Sequence, residues 1–143
     1  MDVWTIRDVA RRCGLSEPTL RYYEDIGLIG PIGRDASGHR QYDAADLDLI
    51  GALSCLRATG VSIGDMRTYK ANLANREETA AEQRDLLLRH AERIEAEIVA
   101  QHARLGYLRA KAAVWDARDH ADGVAEAEAW QAVKEAAQHL GFH

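Results

Sequence analysis

Apolar positions recur at helical spacing in several separate stretches of this chain, and most of them are bracketed by start and stop signals. Ile6, Val9, Ala10 and Cys13 share one face of a helix opened by a capping box over residues 5–8 and closed by Gly14. Leu49, Ile50, Leu53 and Leu56 form a second stripe, opened by the box Asp43-Ala44-Ala45-Asp46 and stopped at Gly60. Ser62-Ile63-Gly64-Asp65 then opens another helix that runs to about Leu73. From about Arg76 to Trp115 there is no proline, and Gly106 is the one glycine. Along that run Leu87, Ala91, Ile94, Ile98, Gln101, Leu105, Leu108, Ala112 and Trp115 alternate spacings of four and three without a slip. After a break over residues 119–123, a short amphipathic helix is predicted with Val124, Ala127, Trp130, Val133, Ala137 and Leu140 inward.

Between the first two stripes lies Ser16-Glu17-Pro18-Thr19-Leu20-Arg21-Tyr22-Tyr23-Glu24-Asp25-Ile26-Gly27-Leu28. Ser16 suits an N-cap, Glu17 and Pro18 a first turn, and Gly27 a left-handed stop, which predicts a short helix. Two short helices joined by Cys13-Gly14-Leu15 make a helix-turn-helix. Its second helix carries Thr19, Arg21, Tyr22 and Tyr23, all able to bond phosphates or base edges. Residues 28–42 follow as two short extended pieces about a polar turn at Asp35 to Gly38, a small β-wing with Arg34, His39 and Arg40 crowded at its tip. Arg57 marks a second basic turn over residues 57–63.

The long seam needs a partner helix. At ~1.5 Å per residue it runs roughly 60 Å, too far to be hidden in a small domain or covered by the tail helix. The expected partner is the same helix of a second subunit, with Leu87, Ile94, Ile98, Leu105, Leu108 and Trp115 as dimerisation residues and Gln101 as a register mark. The fold class that results is mostly α: a winged helix-turn-helix with its helix pair (1–75), a coiled-coil dimerisation helix (76–116), and a C-terminal tail with a short helix (117–143).

The net charge of −5 argues against nucleic acid until the chain is divided. Residues 1–70 hold 9 basic and 10 acidic side chains, residues 71–143 hold 9 and 13, so the acidity lies mainly outside the reading head. DNA binding would rest on a local arginine cluster, with limited non-specific affinity. No charged start precedes an apolar run and no segment approaches bilayer length, so a cytoplasmic protein with no membrane partner is expected. Glycine-rich phosphate loops, paired Cys/His metal motifs and a nucleophile elbow are absent, which leaves no catalytic residue to name and no cofactor to expect.

Helix-turn-helix, wing, helix pair and long terminal helix, in that order, resemble the MerR family of bacterial transcription regulators over roughly residues 3–115. The most specific pieces are Thr19-Leu20-Arg21-Tyr22-Tyr23-Glu24 with Gly27-Leu28-Ile29, and Ser37-Gly38-His39-Arg40-Gln41-Tyr42. The resemblance implies a homodimer on double-stranded promoter DNA, held by an antiparallel coiled coil, that bends and untwists the duplex for RNA polymerase. By position, Thr19, Arg21, Tyr22 and Tyr23 would contact DNA from the helix, Arg34, His39 and Arg40 from the first wing, and Arg57 from the second.

Cys13 shares the first apolar stripe and reads as a small core hydrophobe. Cys55 falls on another face, with Asp48, Ala52 and Thr59. Its surroundings, Leu53-Ser54-Cys55-Leu56-Arg57-Ala58-Thr59-Gly60-Val61-Ser62-Ile63, look like the thiol-dependent AdhR/NmlR-like branch, which implies a sensor of aldehyde or other electrophile stress at Cys55. The negative end of the helix dipole there calls for an offsetting cation, from Arg57, Arg67 or the partner's long helix. The seam lacks the cysteine pair or triplet of the family's metal sensors, and the histidines show no ligand spacing, so no metal is expected. Two other readings stay open: a small apolar effector near Tyr107, Trp115 and Trp130, or a non-regulatory winged-helix architectural or adaptor protein.

Overall fold

Thr5 opens the first helix as its box predicts. The Thr5 hydroxyl accepts the Asp8 N–H at 3.2 Å, and the Asp8 carboxylate accepts the Thr5 N–H at 3.3 Å. The computed structural model, which describes residues 2–143, places α1 at Ile6–Cys13 with Gly14 as its left-handed cap. Ser16 caps α2 (Glu17–Asp25) by accepting the Thr19 N–H at 3.1 Å, with Pro18 in the first turn where its missing N–H costs no hydrogen bond. A two-stranded antiparallel wing follows, β1 (Gly33–Arg34) against β2 (Arg40–Gln41), with Gly33 opposite Gln41 and Arg34 opposite Arg40. Backbone bonds of 2.8 Å in both directions between Trp4 and Tyr42 carry the start of the chain alongside.

Asp43 closes a second reciprocal box with Asp46 at the start of α3 (Ala44–Ala58), and Ser62 caps α4 (Ile63–Asn72). A 3₁₀ turn at Leu73–Asn75 leads to α5 (Ala80–Asp119, 40 residues), and Asp122 caps α6 (Gly123–His139). Packing divides the chain into two compact units, one ending at Leu87 and one beginning at Leu88.

The first unit is built on Val9, Leu20, Leu28, Ile29, Tyr42, Ile50, Leu53 and Met66, all essentially sealed from solvent. Full burial of an aliphatic side chain of this kind stabilises by about 1.5–3 kcal/mol, so this cluster fixes α1, α2, α3 and α4 around one centre. Where α4 runs out, buried Asn72 donates to the Gln83 Oε1 at 3.0 Å, Gln83 donates to the Tyr69 carbonyl at 3.0 Å, and the Thr79 hydroxyl reaches the Asn72 carbonyl at 2.8 Å. The polar groups freed by the 3₁₀ turn are thereby paired, which fixes how α4 leads into the first turns of α5.

In the second unit Val114 is fully buried against Ala129 and Val133, with Tyr107 and Ala110 at the margin, and Arg118 pairs with Glu126. The inner face of α6 differs in part from the one its apolar residues suggested. Val133 is buried as predicted and Ala137 and Leu140 are half-buried, but Val124 is 73% exposed, Ala127 is exposed, and Ala129 is buried in their place. Close helix–helix contact favours the small side chain over the large one, and Trp130 is left at the margin with the Lys111 ammonium 5.1 Å from its ring centre. Because α6 covers the Ala110/Val114 side of α5, seam residues Leu108 (65% exposed) and Trp115 (62%) stay open.

Gly30 sits at the root of the wing with φ 85°, where an added Cβ would lie 2.8 Å from the Ile32 backbone nitrogen and 3.3 Å from the Glu24 Cγ. Gly30→Ala is therefore expected to destabilise the first unit by about 1–3 kcal/mol, read as a lowered urea midpoint with an unchanged slope.

Candidate nucleic-acid interface

The outward face of α2 is narrow. Successive helical residues point about 100° apart, so of two neighbouring tyrosines only one can face away from the core. Tyr22 is 52% exposed, whereas Tyr23 is 2% exposed and packs in the core beside Leu20 and Leu28. Tyr23, expected on the DNA side, is thus a structural residue that supports the face from behind. Thr19 is half-buried, and its hydroxyl lies 2.8 Å from that of Ser16, so it serves the helix cap. Arg21 is exposed, tethered loosely to Glu17 at 3.4 Å across one turn.

The wing tip organises itself. Asp35 accepts the Ser37 and His39 N–H groups, both at 2.9 Å, and Arg34 donates to the Gly38 carbonyl at 2.9 Å. The hydrogen bond from His39 holds the Asp35 carboxyl below its usual range against the opposing effect of burial, helped by the bond from Ser37. The His39 side chain is 81% exposed, its Nδ1 3.5 Å from the Asp35 carboxylate.

Arg40 does a different job from the one expected of it. Its Nε donates to the Glu24 Oε1 at 2.7 Å with both side chains more than four-fifths covered, and the other Glu24 oxygen accepts the Ile32 N–H at 3.1 Å. One carboxylate of the reading helix therefore holds both the root and the returning strand of the wing. A covered Arg–carboxylate pair whose oxygens are all occupied is geometrically specific, and Arg40 acts first as a clamp. Burial pushes the Glu24 carboxyl upward, but the bonds from Arg40 and Ile32 outweigh it and leave the group below its ordinary 4.5.

The other end of α2 is gripped from α4. Arg67 donates to the Ile26 carbonyl at 2.7 Å and Lys70 to the Gly27 carbonyl at 3.0 Å, cations on the negative end of the helix dipole. Arg67, one of the three sources named for a cation to offset the dipole beside Cys55, is thus engaged at the end of α2 instead. Arg57 is exposed at the end of α3, and Cys55 is exposed two residues before it.

A cleft of about 400 Å³ lies between the start of the chain, α2 and the wing, lined by Arg21, Arg34, Arg40, His39, Trp4 and Thr5 among others. Arg21 and Arg34 bring positive charge to this cleft on a chain of net negative charge, while Arg40 is paired with Glu24 and Asp35 shares the lining. Arg57 lies outside that lining. Among the described residues no group of three or more His, Cys, Asp or Glu side chains is placed to hold a metal ion, and no helix is long and apolar enough to cross a membrane.

The model of the MerR family of regulatory proteins matches residues 5–42, which span α1, α2 and the wing with the Glu24–Arg40 clamp. A solved structure from Listeria monocytogenes, assigned to the MerR family of transcriptional regulators, is 33% identical, covers 79% of this chain and 86% of its own, and superposes with a TM-score of 0.65. This chain belongs to the MerR family. The HTH-type transcriptional regulator AdhR of Bacillus subtilis is 36% identical over 89 residues, 62% of this MerR-family chain and 64% of AdhR, so the match spans just under two thirds of that relative. A crystal structure of HiNmlR, described as a MerR family regulator lacking the sensor domain and bound to promoter DNA, is 26% identical with a TM-score of 0.65 and covers 94% of this chain and 96% of its own.

Glu24, Arg67 and Lys70 carry no local sequence signal for the roles they take. Glu24 and Arg40 are 16 positions apart and Arg67 and Ile26 are 41 apart, so only the folded chain brings them together. Since Glu24 is more acidic folded than its ordinary 4.5, its contribution to stability is complete above that value and falls away as pH drops through the lower folded value. Glu24→Gln is expected to be less stable than the parent at pH 7 and to show a shallower loss below about pH 4.5, measured as the difference between their urea midpoints across pH.

Proposed function

We propose that this MerR-family chain is a homodimeric DNA-binding transcription regulator, whose paired reading heads grip double-stranded promoter DNA and deform it for RNA polymerase, with Cys55 as the thiol that receives an electrophile signal. The observation that carries the reading is the clamped pairing of α2 with the wing. It presents Arg21, Tyr22, Arg34 and His39 from one rigid surface, and the closely similar fold of HiNmlR is described on promoter DNA. Residues 1–75 act as the reading head, 76–116 as the dimerisation rod and 117–143 as a tail packed on it.

Deforming a duplex costs on the order of 1–6 kcal/mol, which requires several firm phosphate contacts on two heads at once. One subunit offers few, so the uncovered seam matters. Ile98 (51% exposed), Leu105 (44%) and Leu108 (65%) lie exposed along α5, as an antiparallel copy of the same helix would use them. For the sensor, the exposure of Cys55 and the kinship to AdhR support a reactive thiol. The aromatic faces offered to a small apolar effector are taken by cations instead: the Lys111 ammonium sits 5.9 Å from the Tyr107 ring centre and the Arg118 guanidinium 4.7 Å from that of Trp115.

Fluorescence anisotropy on the chain's own upstream DNA tests the reading head. Arg21→Glu is expected to lower affinity about tenfold or more across all sequences, equivalent to ~1–3 kcal/mol, and unaltered binding would remove α2 from the interface. Light scattering tests the rod: a dimer at micromolar concentration that Ile98→Glu converts to monomer is expected, and a monomeric parent would end the homodimer reading. Mass spectrometry of the folded protein after mild aldehyde or iodoacetamide treatment tests the sensor, with labelling expected at Cys55 and little at Cys13. A Cys55 left unlabelled would retire it.

A further inference from the structure

Cys13 is the last residue of α1, and Cys55 lies near the end of α3, 42 positions later in the sequence but close in the fold. α1 and α3 pack on one another, and the Ser54 hydroxyl donates to the Cys13 carbonyl, so the backbone at Cys13 is held one hydrogen bond from the residue that precedes Cys55. A disulfide spans Cα separations of about 4.4–6.8 Å, so bridging the two sulfurs requires the ends of α1 and α3 to bring Cys13 and Cys55 into that range. Gly14, directly after Cys13, is left-handed, with nothing within 4 Å of where a Cβ would sit.

The two thiols differ in access, Cys55 exposed and Cys13 half-buried against the core. Burial holds the Cys13 thiol above its ordinary value, the Arg12 cation opposes this, and Cys55 adds to the rise.

We propose that Cys13 and Cys55 form a peroxide-responsive dithiol, in which exposed Cys55 is the sulfur oxidised and Cys13 resolves it as an intrachain disulfide. The proposal rests on the reading of Cys55 as a reactive thiol and adds a second sulfur and an oxidant class to it. In the first step the Cys55 thiolate attacks one oxygen of a hydroperoxide and the O–O bond breaks. Sulfur is oxidised to sulfenic acid, the peroxide is reduced, and the leaving alkoxide or hydroxide takes a proton to give an alcohol or water. In the second step Cys13 gives up its proton and attacks the Cys55 sulfur, forming the S–S bond and expelling hydroxide, which leaves with that proton as water. The product ties the end of α1 to α3 just ahead of the Ser16 cap of α2.

The test treats the full-length protein with hydrogen peroxide, then maps tryptic peptides without reduction, with dimedone present in a parallel sample to trap sulfenic acid. The expected product is residues 13–21 linked to residues 41–57 within one chain, lighter by two hydrogen atoms and restored by dithiothreitol. Dimedone labelling of Cys55 should be low in the parent and should accumulate several-fold in Cys13→Ser. A parent that shows equal dimedone labelling and no linked peptide, or a Cys55 bridge only between subunits, overturns the pair while leaving Cys55 reactive. A Cys55 that takes neither dimedone nor iodoacetamide overturns the sensor reading itself. Should Cys13→Ser fail to fold, the linked peptide in the parent decides alone.

Discussion

A single carboxylate, Glu24, holds α2 and the wing together. It projects from α2, accepts the Arg40 Nε at 2.7 Å and the Ile32 N–H at 3.1 Å, and so converts a helix and a two-residue-per-strand wing into one body. A hairpin this small has almost no stability of its own. Its position relative to the reading helix must come from outside the hairpin, and the covered ion pair, with the Trp4–Tyr42 bridge beside it, is what supplies it. Arg21, Arg34 and His39, further out, can then stay exposed because the side chain of none is needed to join the wing to α2.

The same helix is restrained at its other end. Arg67 and Lys70 bring α4 onto the carbonyls that α2 leaves unpaired at its C-terminus, and α4 is joined to the first turns of α5 by the Asn72, Gln83 and Thr79 hydrogen bonds. A continuous set of polar contacts thus runs from the start of the long helix to the reading helix. Each contact satisfies a backbone or amide group that would otherwise be costly to cover, so the path is also a structural necessity. The amount of surface each element buries sets the rest: α6 satisfies one side of α5 through Ala129 and Val133 and leaves the Ile98–Leu105–Leu108 stripe to an outside partner.

What the chain determined by itself is everything that depends on short spacing. Capping boxes at Thr5 and Asp43, the caps at Ser16 and Ser62, the stop at Gly14, and the four-three alternation along α5 are local rules, and each element lies close to where those rules put it. Tertiary structure decided which side of each element would be used. Tyr22 and Tyr23 are the same residue type side by side, and only the position of the core sends one outward and one in. Arg40 looks like any wing cation until Glu24, 16 positions earlier, is folded against it, and Arg67 looks free until Ile26 lies beneath it. Val124 and Trp130 are the larger apolar residues of α6, yet Ala129 takes the inner face because helix packing at close range selects by size as much as by hydrophobicity. Periodicity reports how a segment is wound; which of its faces is covered, and by what, depends on residues far away in sequence, and those meet only in the folded chain.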